Sequence, residues 1–282
     1  MKNIFILLLM MCMTTGIYAQ EKFTVDNLKY KILASDMVSL IGGETMITLT
    51  IPEQVTHEGK TYTVFNIEDN AFKGRNDLFY LNIPTSVKSI GEYAFAECNN
   101  LQSVHMAENS VESIKSYAFY ICENLVQINL PNSLKSIGDR AFVRCSMLTT
   151  ITLPNSLISI GGYAFMNTPL GLIISKIENP QSVPLPPYNT IIHDAFYMTF
   201  LGRNTYRDCV LQVPHGTLEK YKSAAVWKEF KNIIEMEATT IENITTAKNE
   251  KNVWYSLQGV RMNNKPTEKG VYIKNGKKVI IK

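Results

Sequence analysis

Apolar and polar positions along this chain follow a pattern that returns. The sets Leu78, Leu81, Ile83; Leu101, Val104, Met106; Leu125, Ile128, Leu130; and Leu148, Ile151, Leu153 share one spacing. The last two members of each set are two residues apart, so they face one side of a strand. Pro84, Pro131 and Pro154 follow three of the sets, and a residue that cannot donate to a ladder marks a strand end. A second extended segment then leads to Ile67, Ile90, Ile114, Ile137 or Ile160, each five residues before Phe72, Phe95, Phe119, Phe142 or Phe165. The Phe intervals are 23, 24, 23 and 23 residues. A period of this length predicts a solenoid of stacked coils. The linking phrase, Ile-Gly-x-x-Ala-Phe or a variant of it, predicts a bend and then a short helical or irregular turn that packs inward. The 24-residue interval, where Ala107 replaces Pro and Glu108 or Asn109 is extra, predicts a small bulge.

The flanks read differently. Residues 20–66 form an N-terminal β cap, with alternation over Leu28–Ile32, a strand over Met46–Ile51 and a hairpin over Thr56–Tyr62 centred on Glu58-Gly59. Residues 67–175 are the repeats. Residues 176–235 are a degenerate repeat and a capping helix. They hold a Pro-rich loop, the phrase Ala195-Phe196 at an interval of 31, a last strand over Val210–Val213 and a helix over Thr217–Phe230 with Gly216-Thr217 as its N-terminal signal. That helix is placed to cover an open solenoid end. Residues 236–251 lack periodicity and read as a linker. Residues 252–282 read as a small β module, with a strand over Val253–Leu257 and a hairpin turning at Asn275-Gly276.

The start of the chain adds an address. Lys2, the apolar run Ile4–Met13 and Ala19 form the pattern of a secretory signal peptide over residues 1–19. No later stretch is long and apolar enough to predict a membrane span. The net charge is +3, but residues 252–282 hold seven Lys and Arg against Glu268, which leaves the body mildly acidic. Nucleic acid is therefore not an expected partner. Cys98, Cys122 and Cys145 each stand three residues after a repeat Phe, in one column. A disulfide or a metal site is one reading. Small buried residues filling a repeat slot is the other, and it is favoured because side chains in one column point the same way. Cys209 reads as another buried thiol.

Taken with the strand pattern, Ile-Gly-x-x-Ala-Phe-x-x-Cys-x-x-Leu followed by Leu-Pro-Asn-Ser-Leu resembles the BspA-like class of bacterial leucine-rich repeats. The resemblance covers roughly residues 46–235, including the closing run from Val213 to Glu235. The fold class expected is a right-handed leucine-rich-repeat solenoid, mainly β with short helical turns, in the manner of an α/β horseshoe, with a C-terminal capping helix and a small C-terminal β module. The resemblance implies a secreted or surface-displayed protein, and some members of the class act as adhesins. The stretch from Tyr255 to Lys278 is similar to the sorting domains of proteins exported by the type IX route.

Chemistry is sparse. His57, His105, His193 and His215 show no metal-ligand spacing, and no nucleophile or phosphate-loop motif is present. No catalytic residue, metal ligand or cofactor is expected. If the chain were an enzyme, His193, Asp194 and Asp208 would be the group to consider. The informative surface is the set of outward strand positions, Tyr80, Asn82, Ser103, His105, Gln127, Asn129, Thr150 and Thr152, expected as two polar columns on one sheet face. A solvated face is the plain reading of them, and a binding strip the functional one. The function expected is protein binding or adhesion, to a host extracellular-matrix or cell-surface protein. A glycan-binding or envelope scaffold role is the alternative. Ser89, Ser113, Ser136 and Ser159 form a further column, expected to bond between coils.

Overall fold

The computed structural model describes residues 21–44, 47–183, 195–196 and 204–237, and strands within 254–281. Residues 1–19 and 238–253, on which the signal-peptide and linker expectations fall, lie outside the described residues. The chain divides into two compact units, 1–236 and 237–282.

The first unit begins with three strands, β1 (Lys22–Val25), β2 (Leu28–Ala34) and β3 (Met37–Gly43), paired antiparallel. After β4 (Thr48–Thr50), a hairpin of β5 (Gln54–His57) and β6 (Lys60–Ile67) follows, and β6 lies parallel to β3. From there the chain winds as a solenoid. The Ile–Phe segments supply short strands β8 (Ser89–Ile90), β10 (Ser113–Ile114), β12 (Ser136–Ile137) and β14 (Ser159–Ile160), which extend the β6 edge in parallel register. The Leu-x-x-Ile segments supply β7 (Tyr80–Ile83), β9 (Ser103–Met106) and β11 (Gln127–Ile128), parallel to β4. A further parallel sheet holds β13 (Thr150–Leu153), β15 (Leu172–Ser175), β16 (Val210–Val213) and β17 (Asn232–Glu235).

The core is the Phe column. Rings stack from Phe72 through Phe95, Phe119, Phe142 and Phe165 to Phe196, at centroid separations of 5.2–5.5 Å. The phrase at Ala195-Phe196 thus rejoins the ladder despite its 31-residue interval. Ile90, Ile114 and Ile137 are buried with it, as are Ala94, Ala118, Ala141, Ala164 and Ala195, while Ala71 is half-buried.

The inward turns are not helices. Each passes through two residues of positive φ, at Tyr93 and Glu97, Tyr117 and Ile121, Arg140 and Arg144, and Tyr163 and Asn167. With helix confined among the described residues to short pieces near the end, the protein is a β-solenoid rather than an α/β horseshoe. Ile121, at φ 57°, is the costliest of these residues, because a β-branched side chain crowds the left-handed region. The same place is filled by Gly74 and Asn167 in other coils. Left-handed backbone costs an L-residue about 1–2 kcal/mol, and glycine gives back part of that through its unfolded-state freedom. Ile121→Gly should raise unfolding free energy by about 0.5–1 kcal/mol, read as a higher urea midpoint. An unchanged or lower midpoint would show that the Ile121 side chain contributes more by packing than its backbone loses.

Three expectations are corrected. The extra residue of the 24-residue interval makes no bulge in the strand ladder. It is taken up in the turn after β9, where Asn109 adopts φ 60° and Ser110 N–H donates to the Ala107 carbonyl at 3.2 Å. After α1 (Thr205–Asp208), the helix expected over Thr217–Phe230 is only α2 (Leu218–Ser223) and then a 3-10 turn over Trp227–Glu229. The break lies at Ala224, which is extended, and Val226, at φ 69°. Thr217 does not cap the helix. Its hydroxyl donates to the Pro214 carbonyl at 2.7 Å, and Glu235 of β17 accepts the Leu218 N–H at 3.0 Å. Nor is β16 the last strand of the solenoid, since β17 pairs beyond it.

What closes the Phe column is aromatic. Phe196 meets Tyr206 and Phe230 edge-on at 6.3 and 5.6 Å, and Tyr221 meets Trp227 edge-on at 5.5 Å. Tyr221 is tied in by its hydroxyl, which donates to the Ile177 carbonyl at 2.8 Å, with Ser175 Oγ 2.6 Å away. The second unit is an antiparallel sheet, of β18 (Trp254–Ser256), β19 (Arg261–Met262), β20 (Gly270–Lys274) and β21 (Lys277–Ile281).

Candidate functional site

The strand register places the outward side chains. Tyr80 lies beside Ser103, and Ser103 beside Gln127. Asn82 lies beside His105. These rows form because β-strand side chains alternate faces while Leu81, Val104 and Ile128 point inward. Tyr80 is 43% exposed, and its hydroxyl donates to Gln102 Oε1 at 3.4 Å. Asn82 donates to Thr50 Oγ1 at 3.1 Å. His105 and Gln127 are exposed.

Asn129 has another task. In the preceding coil Ala107 N–H donates to the Ile83 carbonyl at 2.9 Å. Pro131 stands one coil on and has no N–H to give. The Asn129 side chain replaces it, donating from Nδ2 to the Met106 carbonyl at 2.7 Å and accepting the Met106 N–H at 2.8 Å. The ladder is therefore carried by a side chain, and β11 is only two residues long. Among the described residues β11 does not pair with β13. Thr150 and Thr152 belong to the next sheet, beside Leu172 and Ile174. The eight positions are thus divided, with Tyr80, Asn82, Ser103, His105 and Gln127 grouped, Asn129 bonded to the Met106 backbone, and Thr150 and Thr152 on the next sheet.

The other columns are structural. Asn66, Ser89, Ser113, Ser136 and Ser159 align in register, and Ser136 Oγ donates to Ser113 Oγ at 3.1 Å. Cys98, Cys122 and Cys145 are free and buried. Each thiol donates to the carbonyl of a Phe one coil back, at 3.1, 3.2 and 3.4 Å, and the Thr168 hydroxyl does the same toward Phe142. Burial pushes the Cys98 thiol up to about 12 and that of Cys122 well above its usual value. Cys209 is likewise free, and burial raises it to about 12. These are hydrogen-bonded core groups, not nucleophiles.

One feature of the surface escaped the sequence reading. Tyr93 and Tyr117 stack at 4.5 Å and 10°. The Arg140 guanidinium lies 5.6 Å from the Tyr117 ring centre and 5.0 Å from that of Tyr163, and its Nη1 donates to the Tyr117 hydroxyl at 2.9 Å. Lys73 covers Tyr93 at 5.1 Å. The signal was present, since all four positions stand two residues before a repeat Phe. The result is a cation–π ladder along the turns, with ring faces turned to one another and to cations.

Of the enzyme residues considered, His193 and Asp194 lie outside the described residues, and Asp208 is paired with Arg207 at 2.7 Å. Among the described residues one group of side chains has metal-ligand character, Glu21, His57 and Glu58, on the N-terminal strands and away from the outward rows. No described helix is long and apolar enough to cross a membrane.

Known proteins match this architecture. Residues 65–184 match, in six copies, the family described as BspA type leucine rich repeat region. A leucine-rich repeat protein of T. pallidum is 27% identical with a TM-score of 0.50, over 55% of this chain and 71% of that one. The pneumococcal vaccine antigen PcpA is 20% identical with a TM-score of 0.53, over 73% of this chain and 52% of that one. A leucine rich cell surface protein of Faecalibacterium prausnitzii is 21% identical with a TM-score of 0.45, over 71% of this chain and 72% of that one. No curated protein matches. Residues 65–184, which carry the repeating Phe, Ile, Ala and Cys columns and the two strands of each coil, are thus similar to the BspA type leucine rich repeat region, a repeat fold of protein interaction.

Proposed function

We propose that this chain is a secreted or cell-surface protein that binds another protein through Tyr80, Asn82, Ser103, His105 and Gln127, with Thr150 and Thr152 extending the surface. The observation that carries this reading is the register of β7, β9 and β11, which sets polar, nearly uncharged side chains in rows on a rigid sheet. Solenoids recognise partners along such extended faces, and a row with little charge suits a protein surface better than a phosphate backbone. The partner class is a host extracellular-matrix or cell-surface protein, with adhesion as the outcome. In this reading residues 1–19 act as the export leader and 252–282 as a type IX-like sorting module. Glycan binding is the second reading. It needs open aromatic faces, and the rings of Tyr93 and Tyr117 are covered by each other and by Lys73 and Arg140.

The test is an array of extracellular-matrix proteins and glycans probed with the whole chain. Capture by a protein should fall at least tenfold, about 1.4 kcal/mol, in the double variant His105→Glu/Gln127→Glu. Its melting temperature should not change, because both side chains are exposed. Capture undiminished in the double variant would remove the strip from consideration, and capture by glycans alone would establish the second reading.

A further inference from the structure

Three side chains distant in sequence meet at the first strands of the chain. Glu21 precedes β1, His57 ends β5, and Glu58 is the first residue of the β5–β6 turn. Each offers a ligand atom, and these atoms lie within 4.8 Å of one another. We propose that they form a binding site for a divalent transition-metal ion of the zinc type, which clamps the first strand to the β5–β6 hairpin.

The fold builds this site from both sides. Glu21 is held by its backbone, whose carbonyl accepts the Ile32 N–H at 2.9 Å. Glu21 and Phe23 are two residues apart at the start of a strand, so they share a face. The Phe23 ring lies flat against the His57 ring, at 4.2 Å and 2°. That contact turns the same face, and Glu21 with it, toward the hairpin. The stacked face fixes the plane of the imidazole. Its nitrogen lone pairs lie in that plane, so stacking leaves them open to a ligand. The turn then brings the third group. Glu58 and Gly59 have φ of 49° and 76°, with His57 and Lys60 paired across them. A two-residue turn with both φ positive favours Asn or Asp before Gly. Glu serves the turn less well, and what it adds is a longer carboxylate beside the imidazole.

The donor set selects the ion. One imidazole nitrogen and two carboxylate oxygens are ligands of zinc, at about 2.0–2.2 Å, with water completing a tetrahedron. Calcium and magnesium prefer all-oxygen sites. Ligand atoms of such a tetrahedron are about 3.5 Å apart, so the two Glu side chains need to close by about an ångström, within the reach of a change of rotamer. Both are exposed and free to make it. The neighbouring carboxylates repel each other until a cation lies between them. The consequence is mechanical. In sheet order β1 is the edge strand, and edge strands are the first to open. A bound ion would tie that edge to the hairpin that starts the solenoid.

The test uses the whole chain, stripped with a chelator and titrated with Zn2+ in a calorimeter. One site per chain is expected. His57→Phe keeps the flat stack on Phe23 but removes the ring nitrogens, and Glu21→Gln keeps shape without charge. Each should weaken Zn2+ binding at least tenfold and abolish the rise in melting temperature that Zn2+ produces, while the metal-free melts stay within a degree or two of the parent. Ca2+ should not compete. Failure to bind Zn2+, or binding that survives both substitutions because it lies elsewhere, such as at His105 or His215, overturns the proposal. A variant whose metal-free melt collapses is replaced by Glu58→Gln, read in the same way.

Discussion

Phe119→Ala is expected to destabilise the first unit by about 3–5 kcal/mol, the range for a buried Phe truncated without collapse of its surroundings. Phe119 is fully buried, and its ring is stacked on Phe95 at 5.5 Å and on Phe142 at 5.4 Å. Both neighbours lose a face at once. The coils cannot close the gap, because their spacing is fixed by the parallel pairing of β10 with β8 and β12. The substitution also disturbs the backbone carbonyl that accepts the Cys145 thiol at 3.4 Å. The loss should be read from chemical denaturation of the whole chain, with Phe119→Leu as the intermediate case at less than half the cost. A loss below 1 kcal/mol for the alanine variant would mean that the column is not what couples one coil to the next. Phe72 offers a contrast: its ring is stacked only on Phe95 among the described aromatic pairs, so its truncation should cost less.

The same column was the most legible part of the sequence. A large residue recurring at a near-constant interval has one economical explanation, stacking, and the Ile, Ala and Cys companions follow from it. The Ser ladder was legible for the same reason. What spacing could not convey is which backbone groups lack partners. Asn129 looked like one more outward strand residue, and only the missing N–H of Pro131 shows why its amide turns to Met106. Over Thr217–Phe230, Leu218, Tyr221, Ala225 and Phe230 are spaced for a helix. The aromatic residues among them instead serve a plug around Phe196, which needs the chain to bend at Ala224 and Val226. The Tyr93–Tyr163 ladder was written in the repeat, each member two residues before a repeat Phe, yet three Tyr and one Arg share no apolar or polar character that spacing alone turns into a stack. Glu21 and His57 are far apart in the chain, and only the packing of Phe23 brings them together.

Gly138→Ala is expected to cost about 3 kcal/mol, at the upper end of what overpacking does. A β-carbon on Gly138 would sit 2.4 Å from the Ser116 nitrogen and 2.6 Å from the Lys115 carbonyl carbon, both backbone atoms of the coil before. Neither can swing aside as a side chain would. The nearby Gly138 N–H donates to the Ile114 carbonyl at 2.8 Å, so relief would have to lengthen the bond that sets the coil spacing. Gly91 and Gly161 are under the same constraint, each with a backbone atom 2.4 Å from the added carbon. This explains the glycine of the repeating phrase by close approach rather than by conformation. A second glycine separates the two causes. Gly74 has φ 75° but nothing within 4 Å of an added β-carbon, so Gly74→Ala should cost only the conformational 1–2 kcal/mol or so. Denaturation of the two variants side by side decides the matter. If Gly138→Ala proves no worse than Gly74→Ala, close backbone approach is not why glycine stands there, and the coils must be free to slide apart by the width of a methyl group.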